Sequence, residues 1–357
     1  MKNSFVMSLC VTIIPQCICA QTPTPPNLSD PIWTAYAPMS DEFNDGVIDN
    51  TKWTWAPPWG TYHGNPTASM ACLSNSSTNR QESGGSLKLT VTQETSTCNS
   101  WDGTPYTKPF KVGALYSLYP NTIKYGYFEV RVKIPDHNAN NTDGFGPNFW
   151  FWKLLAPLDG KWSEIDVFEF NAASNTHTCN VHYESDYVAP VVLDHWAMRQ
   201  SDVNDIENVN FNGQWHVFSC EWSPERINFF MDGIYITGTS QYCADQLPLN
   251  LILDINVPAT NFGYSTLPSG VLLPYTFEID YVRTYQKQMD CNTEELVCTL
   301  IPSNLYALKK KITFQNYCGI TLPAGTHNYR ATDYIQIMGD FTVNYGTQML
   351  LDTEPCY

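Results

Sequence analysis

Ser163-Glu164-Ile165-Asp166-Val167-Phe168-Glu169-Phe170 strings three carboxylates along an otherwise apolar, β-prone run. In a regular strand alternate side chains share a face, so Glu164 and Asp166 project together while Ile165 and Val167 point into a core. Glu169 breaks that register. Strict alternation would send it to the core side, where an unpaired carboxylate is expensive. One extra residue, a β-bulge near Val167 or Phe168, returns Glu169 to the face of Glu164 and Asp166 and turns Phe170 inward. The stretch therefore predicts a bulged strand of an all-β fold, with three acids in a row on one face.

Such a row suits glycoside hydrolysis, which uses one carboxylate as nucleophile, one carboxyl as proton donor and a third group to hold their pKa values apart. With the bulge, Glu164 and Glu169 stand about four strand intervals apart, roughly 13 Å between backbones at about 3.3 Å each. Two long side chains leaning together close that to the roughly 5 to 5.5 Å carboxyl spacing of a retaining enzyme. Aspartate is shorter and lies between them, so Asp166 is placed to tune and orient the nucleophile. A strand with a solvated acidic outer face is the competing reading, since charged side chains usually meet water.

Other segments occur in a telling order. Ser40-Asp41-Glu42-Phe43-Asn44 is followed by Gly46-Val47-Ile48-Asp49 and Lys52-Trp53, then by Gly85-Ser86-Leu87-Lys88-Leu89 and Tyr125-Gly126-Tyr127-Phe128-Glu129-Val130-Arg131-Val132-Lys133-Ile134-Pro135. After the acids come Gly213-Gln214-Trp215-His216, Glu221-Trp222-Ser223-Pro224, Met231-Asp232-Gly233 and Phe277-Glu278-Ile279-Asp280-Tyr281-Val282-Arg283-Thr284-Tyr285. Together with the Glu-x-Asp-x-x-Glu signature these resemble glycoside hydrolase family 16, the laminarinase, agarase, carrageenase and lichenase group, in its bulged form. The resemblance spans roughly residues 30–288 and implies a concanavalin-like jelly-roll β-sandwich. It also implies an endo-acting, retaining hydrolase working by double displacement. Glu164 would attack the anomeric carbon, Glu169 protonate the leaving oxygen and then activate water, and Asp166 hydrogen-bond the nucleophile.

The same resemblance assigns contacts beyond the acids. Asn148, Trp150 and Trp152 alternate with Phe149 and Phe151, and the family's tryptophan at the Trp150 position lines the sugar subsites. Glu129 and Arg131 stand at positions the family uses to hydrogen-bond sugar hydroxyls, with a structural Glu-Arg pair as the other reading. His182 is expected to contact the sugar or support Glu169, or to be structural. Asn256 sits where the family often presents a cleft amide, although Val257-Pro258 departs from its usual continuation. No cofactor is needed for the chemistry. A structural calcium is implied at Glu42, the Gly85 carbonyl and Asp280, which supply the oxygen ligands calcium prefers; ordinary surface acids are the alternative.

Two further departures concern specificity. Ser163 stands where the family has glycine before the first acid, and Gly146-Pro147-Asn148 replaces its usual Trp-Pro-Ala. The signature fits β-1,3-glucans and mixed-linkage glucans, the first expectation. It also fits agar-, porphyran- or carrageenan-type galactans. A transglycosylase would share every residue. A non-catalytic glycan-binding protein would usually lack one of the three acids, and all are present.

Composition agrees with a polysaccharide as partner. Charged residues make up 15% and aromatics 14%, with 11 Trp and 21 Tyr, and aromatic faces serve equally as pyranose platforms and sandwich core. A formal charge of -16 and a pI near 4.7 argue against nucleic acid, and more weakly against a sulfated glycan. Lys2 followed by an apolar run and Cys17-Ile18-Cys19-Ala20 has the layout of a signal peptide at 1–20, too short to span a membrane. A lipoprotein signal ending at Cys17 or Cys19 is the other reading. The chain is read as exported, extracellular or cell-surface/periplasmic, monomeric and without a transmembrane segment.

Of 12 cysteines, Cys10, Cys17 and Cys19 would leave with the signal. Cys72, Cys98, Cys179, Cys220, Cys243, Cys291, Cys298, Cys318 and Cys356 remain, pointing to disulfides in an exported chain. Their odd number leaves at least one free, with Cys220 a candidate buried thiol. Residues 21–29 read as a Pro-rich linker, 30–288 as the catalytic sandwich and 289–357 as a small Cys-containing β module. That module is expected to form short strands with tight turns, acting as a cap or spacer, or in carbohydrate binding or surface retention. Lys309-Lys310-Lys311 reads as a solvated run.

Overall fold

The computed structural model describes residues 23–353, apart from 59, 62–68, 101–102, 120, 135–144, 154–161, 172–175, 185–193, 198–212, 245, 258–272, 298–307, 315–320, 323–324, 338–341 and 344–346. The expected signal segment, parts of the loops expected at 55–71, 136–147 and 258–274, and Cys298, Cys318 and Cys356 lie outside the described residues.

The acid row lies on β10 (Trp162–Asn171). This strand is third in a seven-stranded sheet of order β12 (Asp194–Ala197), β11 (Thr176–Glu184), β10, β9 (Gly146–Trp152), β16 (Asn250–Asn256), β7 (Leu115–Ser117) and β2 (Trp53–Thr54). Every pairing in this front sheet is antiparallel. A back sheet of ten strands packs against it. Its path runs β15 (Ile234–Thr239), β14 (Ile227–Met231), β13 (Trp215–Trp222), β8 (Gly126–Lys133), β17 (Tyr275–Lys287), β5 (Leu87–Asn99), β6 (Pro105–Val112) and β3 (Ala71–Leu73). β1 (Trp33–Ala35) joins β17 and β4 (Arg80–Glu82) joins β5. The described chain is thus a jelly-roll sandwich, as the sequence predicts, with a single 3-10 turn at Ala37–Met39 and no described helix long and apolar enough to cross a membrane.

Alternation explains both layers. On β8, Phe128, Val130 and Val132 are buried while Glu129, Arg131 and Lys133 face outward; on β9, Phe149 and Phe151 are buried between Asn148, Trp150 and Trp152. The inner rings meet across the layers, with Phe128 4.7 Å from Phe151 and Phe168 4.2 Å from Phe218. Each fully buried ring of this kind contributes about 1.5–3 kcal/mol. Two backbone sites depend on glycine. A side chain on Gly126 would meet the Tyr285 carbonyl at 2.4 Å, so only glycine lets β8 start against β17. Asp232 and Gly233 both have positive φ, 50° and 77°, the geometry of a tight two-residue hairpin joining β14 to β15.

Cys72 and Cys98 form a disulfide between β3 and β5. Cys220 is a buried thiol as expected, and Cys179 and Cys243 are two more. Beyond Lys287 the pairing changes character. β18 (Met289–Val297), β19 (Leu308–Phe314), β21 (Gly325–Ile337) and β23 (Thr347–Thr353) form a parallel sheet, and β20 (Thr321–Leu322) pairs in parallel with β22 (Thr342–Val343). Gly325 pairs with Thr347 and Lys309 with Ala331, each 22 positions apart, so the chain winds in stacked coils rather than hairpins. Lys309 is buried, which corrects its reading as part of a solvated run. Lys311 pairs with Glu294 at 2.9 Å and lies over the Tyr334 ring.

Candidate active site

β10 is irregular at the position where its sequence demands it. Asp166 pairs with Asn180 of β11 and the next aligned pair is Glu169 with Thr178; against β9 the slip falls between Asp166 and Phe168. Val167 and Phe168, consecutive in sequence, are both buried, as are Ile165 and Phe170. Four apolar side chains therefore fill the core, and Glu164, Asp166 and Glu169 share the outer face.

The register turns this face into a grid. Glu164 lies between His182 and Trp152, Asp166 between Asn180 and Trp150, and Glu169 between Thr178 and Asn148. On the far side of β9, Asn250, Ile252 and Asp254 oppose Trp152, Trp150 and Asn148, with Asn256 opposite Gly146. Of the residues singled out from the sequence, Asn148, Trp150, Trp152, His182 and Asn256 thus share the face of the acids. Trp150 and Trp152 stack with centroids 5.8 Å apart and 21° between planes. The Trp150 indole N–H is buried and has no hydrogen-bond partner among the described residues. A buried donor of this kind is costly unless something binds it.

Asp166 is the hub. It is 2% exposed, hydrogen-bonds Glu164 and Asn180, and lies 3.1 Å from His182 Nε2. Burial pushes its pKa well above the usual carboxylate range, and the nearby charge of Glu169 adds to this. Glu169 is also raised, chiefly by burial. Asn180 Nδ2 and Thr178 Oγ1 donate to its Oε2 at 2.5 and 3.4 Å and oppose the rise. Asp254, buried at 3% exposure, accepts a bond from Asn148 Nδ2 at 2.8 Å and adds negative charge facing both Asp166 and Glu169. Burial and the neighbouring acids thus favour the protonated forms of the central and distal carboxyls, while Glu164 stands at the other end of the row.

The side chains of Glu164, Asp166 and His182 offer ligand atoms within 4.8 Å of one another. Asp166 joins the other two, through its hydrogen bond with Glu164 and its 3.1 Å approach to His182 Nε2. Sequence reasoning missed Asp254, Asn180 and Thr178. Asp254 was accessible from the sequence, because alternation with Asn256 puts both on one face. Ser163 is buried, and its hydroxyl accepts the Leu247 amide at 3.0 Å, so the glycine-to-serine departure serves the strand packing behind the site.

Two groups of expected residues lie elsewhere. Glu129 and Arg131 are on the outer face of the back sheet, across the core from the acids. Glu129 accepts bonds from Tyr281 and Tyr127 at 2.8 and 3.1 Å, and Arg131 donates to Asp280 at 2.6 Å over the Trp215 ring. They correct the expectation of a sugar contact: alternation turns them outward, but from the opposite sheet. The calcium set meets a similar obstacle. Both Glu42 oxygens are held by the Arg283 fork at 2.8 Å, Asp280 is held by Arg131, and Gly85 lies at the turn into β5. With guanidinium groups on both carboxylates, these residues fit an ion-pair network rather than a calcium site.

Residues 33–287 match the family model described as beta-porphyranase A-D, GH16 domain. Among curated proteins, the kappa-carrageenase of Pseudoalteromonas carrageenovora is 28% identical over 71% of this chain and 65% of its own. The glucan endo-1,3-beta-glucosidase A1 of Niallia circulans is 26% identical over 75% of this chain and 39% of its own. The chain therefore spans under two thirds of the length of these relatives. Among solved structures, a kappa-carrageenase from Pseudoalteromonas carrageenovora with a carrageenan oligosaccharide superposes with TM-score 0.54 at 20% identity, covering 77% of this chain and 100% of that one. Porphyranase B from Zobellia galactanivorans gives 0.51 at 20% identity, over 71% and 92%. At these identities the structural likeness is one of fold.

Proposed function

The chain belongs to glycoside hydrolase family 16, and from that premise we propose that it is an exported, monomeric, endo-acting and retaining β-glycoside hydrolase of a polysaccharide. The observation that carries this reading is the bulge of β10, which aligns three carboxyls on one face beside two stacked tryptophans. Glu164 attacks the anomeric carbon and forms the glycosyl-enzyme. Glu169 gives its proton to the departing glycosidic oxygen, then takes one from the water that attacks the intermediate. The raised pKa of Glu169 supports its role as the acid, because burial favours the protonated form that must donate. Asp166, hydrogen-bonded to Glu164 and held by His182, orients the nucleophile and buffers its charge. Trp150 and Trp152 offer the sugar platform, and the unpartnered Trp150 N–H a donor to a hydroxyl.

For the substrate, the porphyranase-type family model and the kappa-carrageenase relative favour a β-linked galactan of the agar, porphyran or carrageenan class over the glucan expected first from the sequence. A β-1,3- or mixed-linkage glucan is the second reading, supported by the glucan endo-1,3-beta-glucosidase relative. Incubation with agarose, porphyran, κ-carrageenan, laminarin and lichenan, with product sizing and anomer assignment by NMR, tests both. Release of short oligosaccharides with retained configuration is expected from a galactan. An inverted product overturns the double displacement, and products made only from laminarin or lichenan overturn the galactan assignment.

A further inference from the structure

β11 meets the bulge with three residues used on both sides of the sheet. Thr178 pairs with Glu169 and Asn180 with Asp166, so Cys179 alone stands opposite the two bulge residues Val167 and Phe168. An extra residue takes backbone groups off the ladder, and a buried carbonyl left unpaired is costly. Here the Cys179 thiol, itself buried, donates to the Val167 carbonyl at 3.2 Å. Its neighbours point the other way: Asn180 and Thr178 donate to Glu169 on the outer face.

We propose that Cys179 is a positioning residue for Glu169: by satisfying the Val167 carbonyl, its thiol fixes the bulge that brings Glu169 to Asn180 and beside Asp166. The inference rests on the reading of Glu169 as the acid/base. A regular, unbulged register would swing Glu169 to the core side, so the bulge is the element whose loss removes the site. Val167 is buried and Phe168 is stacked on Phe218, so the bulge that the thiol meets lies in the core. Burial also pushes the Cys179 thiol far up, so it stays an S–H donor throughout the working range. Asp166 on β10, His182 on β11 and Asp254 on β16 face Glu169, and none of them is altered in the test below.

Cys179→Val fills the space without a donor, and Cys179→Ser keeps one. With Cys179→Val, kcat should fall about tenfold to a hundredfold with KM little changed, because only the proton donor is misplaced; Cys179→Ser should stay within about threefold of wild type. Glu169 titration, followed without substrate by carboxyl NMR of labelled glutamate, should move down towards the ordinary range in the valine variant and stay put in the serine variant. Should Cys179→Val not fold, Cys179→Ala takes its place. Wild-type kcat and an unmoved Glu169 titration in the donorless variant overturn the proposal, as does a serine variant that fails alongside it. If wild type turns over none of the glycans, the functional reading fails separately. The titration still decides on Cys179, together with its S–H infrared stretch taken as the difference between wild type and the donorless variant. A band shifted to lower frequency supports the hydrogen bond, and an unshifted band overturns it.

Discussion

The two outer faces of the sandwich are built from the same alternation and treat their carboxyls in opposite ways. On the back sheet Glu42 is gripped by Arg283, Asp280 by Arg131 and Glu278 by Lys133, while Glu129 sits between two tyrosine hydroxyls. On the front sheet Glu164, Asp166, Glu169 and Asp254 share a face with amides, an imidazole and each other. The protonation equilibria diverge accordingly. The hydrogen bonds from Arg283 hold Glu42 below the ordinary carboxylate range, whereas burial and neighbouring acids lift Asp166 and Glu169 above it. A compensated acid contributes stability. Acids buried together beside amides and an imidazole have their protonated forms favoured.

The largest expected effect falls on the front face. Glu164→Ala should lower kcat by roughly a thousandfold or more with an unchanged circular dichroism spectrum, whereas Glu129→Gln on the back should leave kcat unaltered. If both variants lost turnover alike, the division between the faces would fail. Glu169→Gln should cost roughly 10² to 10⁴ in kcat on polysaccharide, and much less on an aryl glycoside whose leaving group needs no proton. Equal losses on both substrates would remove Glu169 from the acid role.

The pH dependence of stability should carry opposite signs. Asp166 has a folded pKa above its unfolded value, so its contribution is complete below the unfolded carboxyl range, about 4, and is lost as pH rises through the folded value. Asp166→Asn should therefore look more stabilising, relative to wild type, at pH about 8 than at pH about 4 in thermal melts. Glu42 behaves in the reverse sense, its contribution present above the unfolded value and lost as pH falls through the lowered folded one. Because that pair is half exposed, Glu42→Gln should cost only about 0.5 kcal/mol, shrinking with salt. The smallest effect concerns calcium. With Arg283 and Arg131 already on the carboxylates, a chelator should leave Tm where it is, and a clear drop would show that a cation competes with the arginines.

The same contrast explains what the sequence could and could not convey. Period-two alternation and one register fault were enough to read the bulge, the acid row and the outward direction of Trp150, because those depend on neighbours in the chain. Glu129 and Arg131 were read as outward too, and correctly, but outward from which sheet is a matter of topology. Strands β8 and β10 lie in different layers, and nothing within either one records that. Asp254, Asn180 and Thr178 became visible only through cross-strand register, which depends on long-range pairing. Lys309 shows the same limit: a lysine run looks solvated until the strands stacked on it are known.

The stacked coils after Lys287 behave as a ruler. Gly325 matches Thr347 and Lys309 matches Ala331 at an offset of 22, Lys311 matches Tyr334 at 23 and Met289 matches Leu308 at 19, so the coils differ by a few residues; gain or loss of one whole coil preserves the remaining pairings, while a partial insertion shifts them. Each added coil would lengthen the stack by one strand spacing, about 4.8 Å. Related chains can therefore change the length of this stack in discrete steps, with the pairings of the two-sheet sandwich untouched.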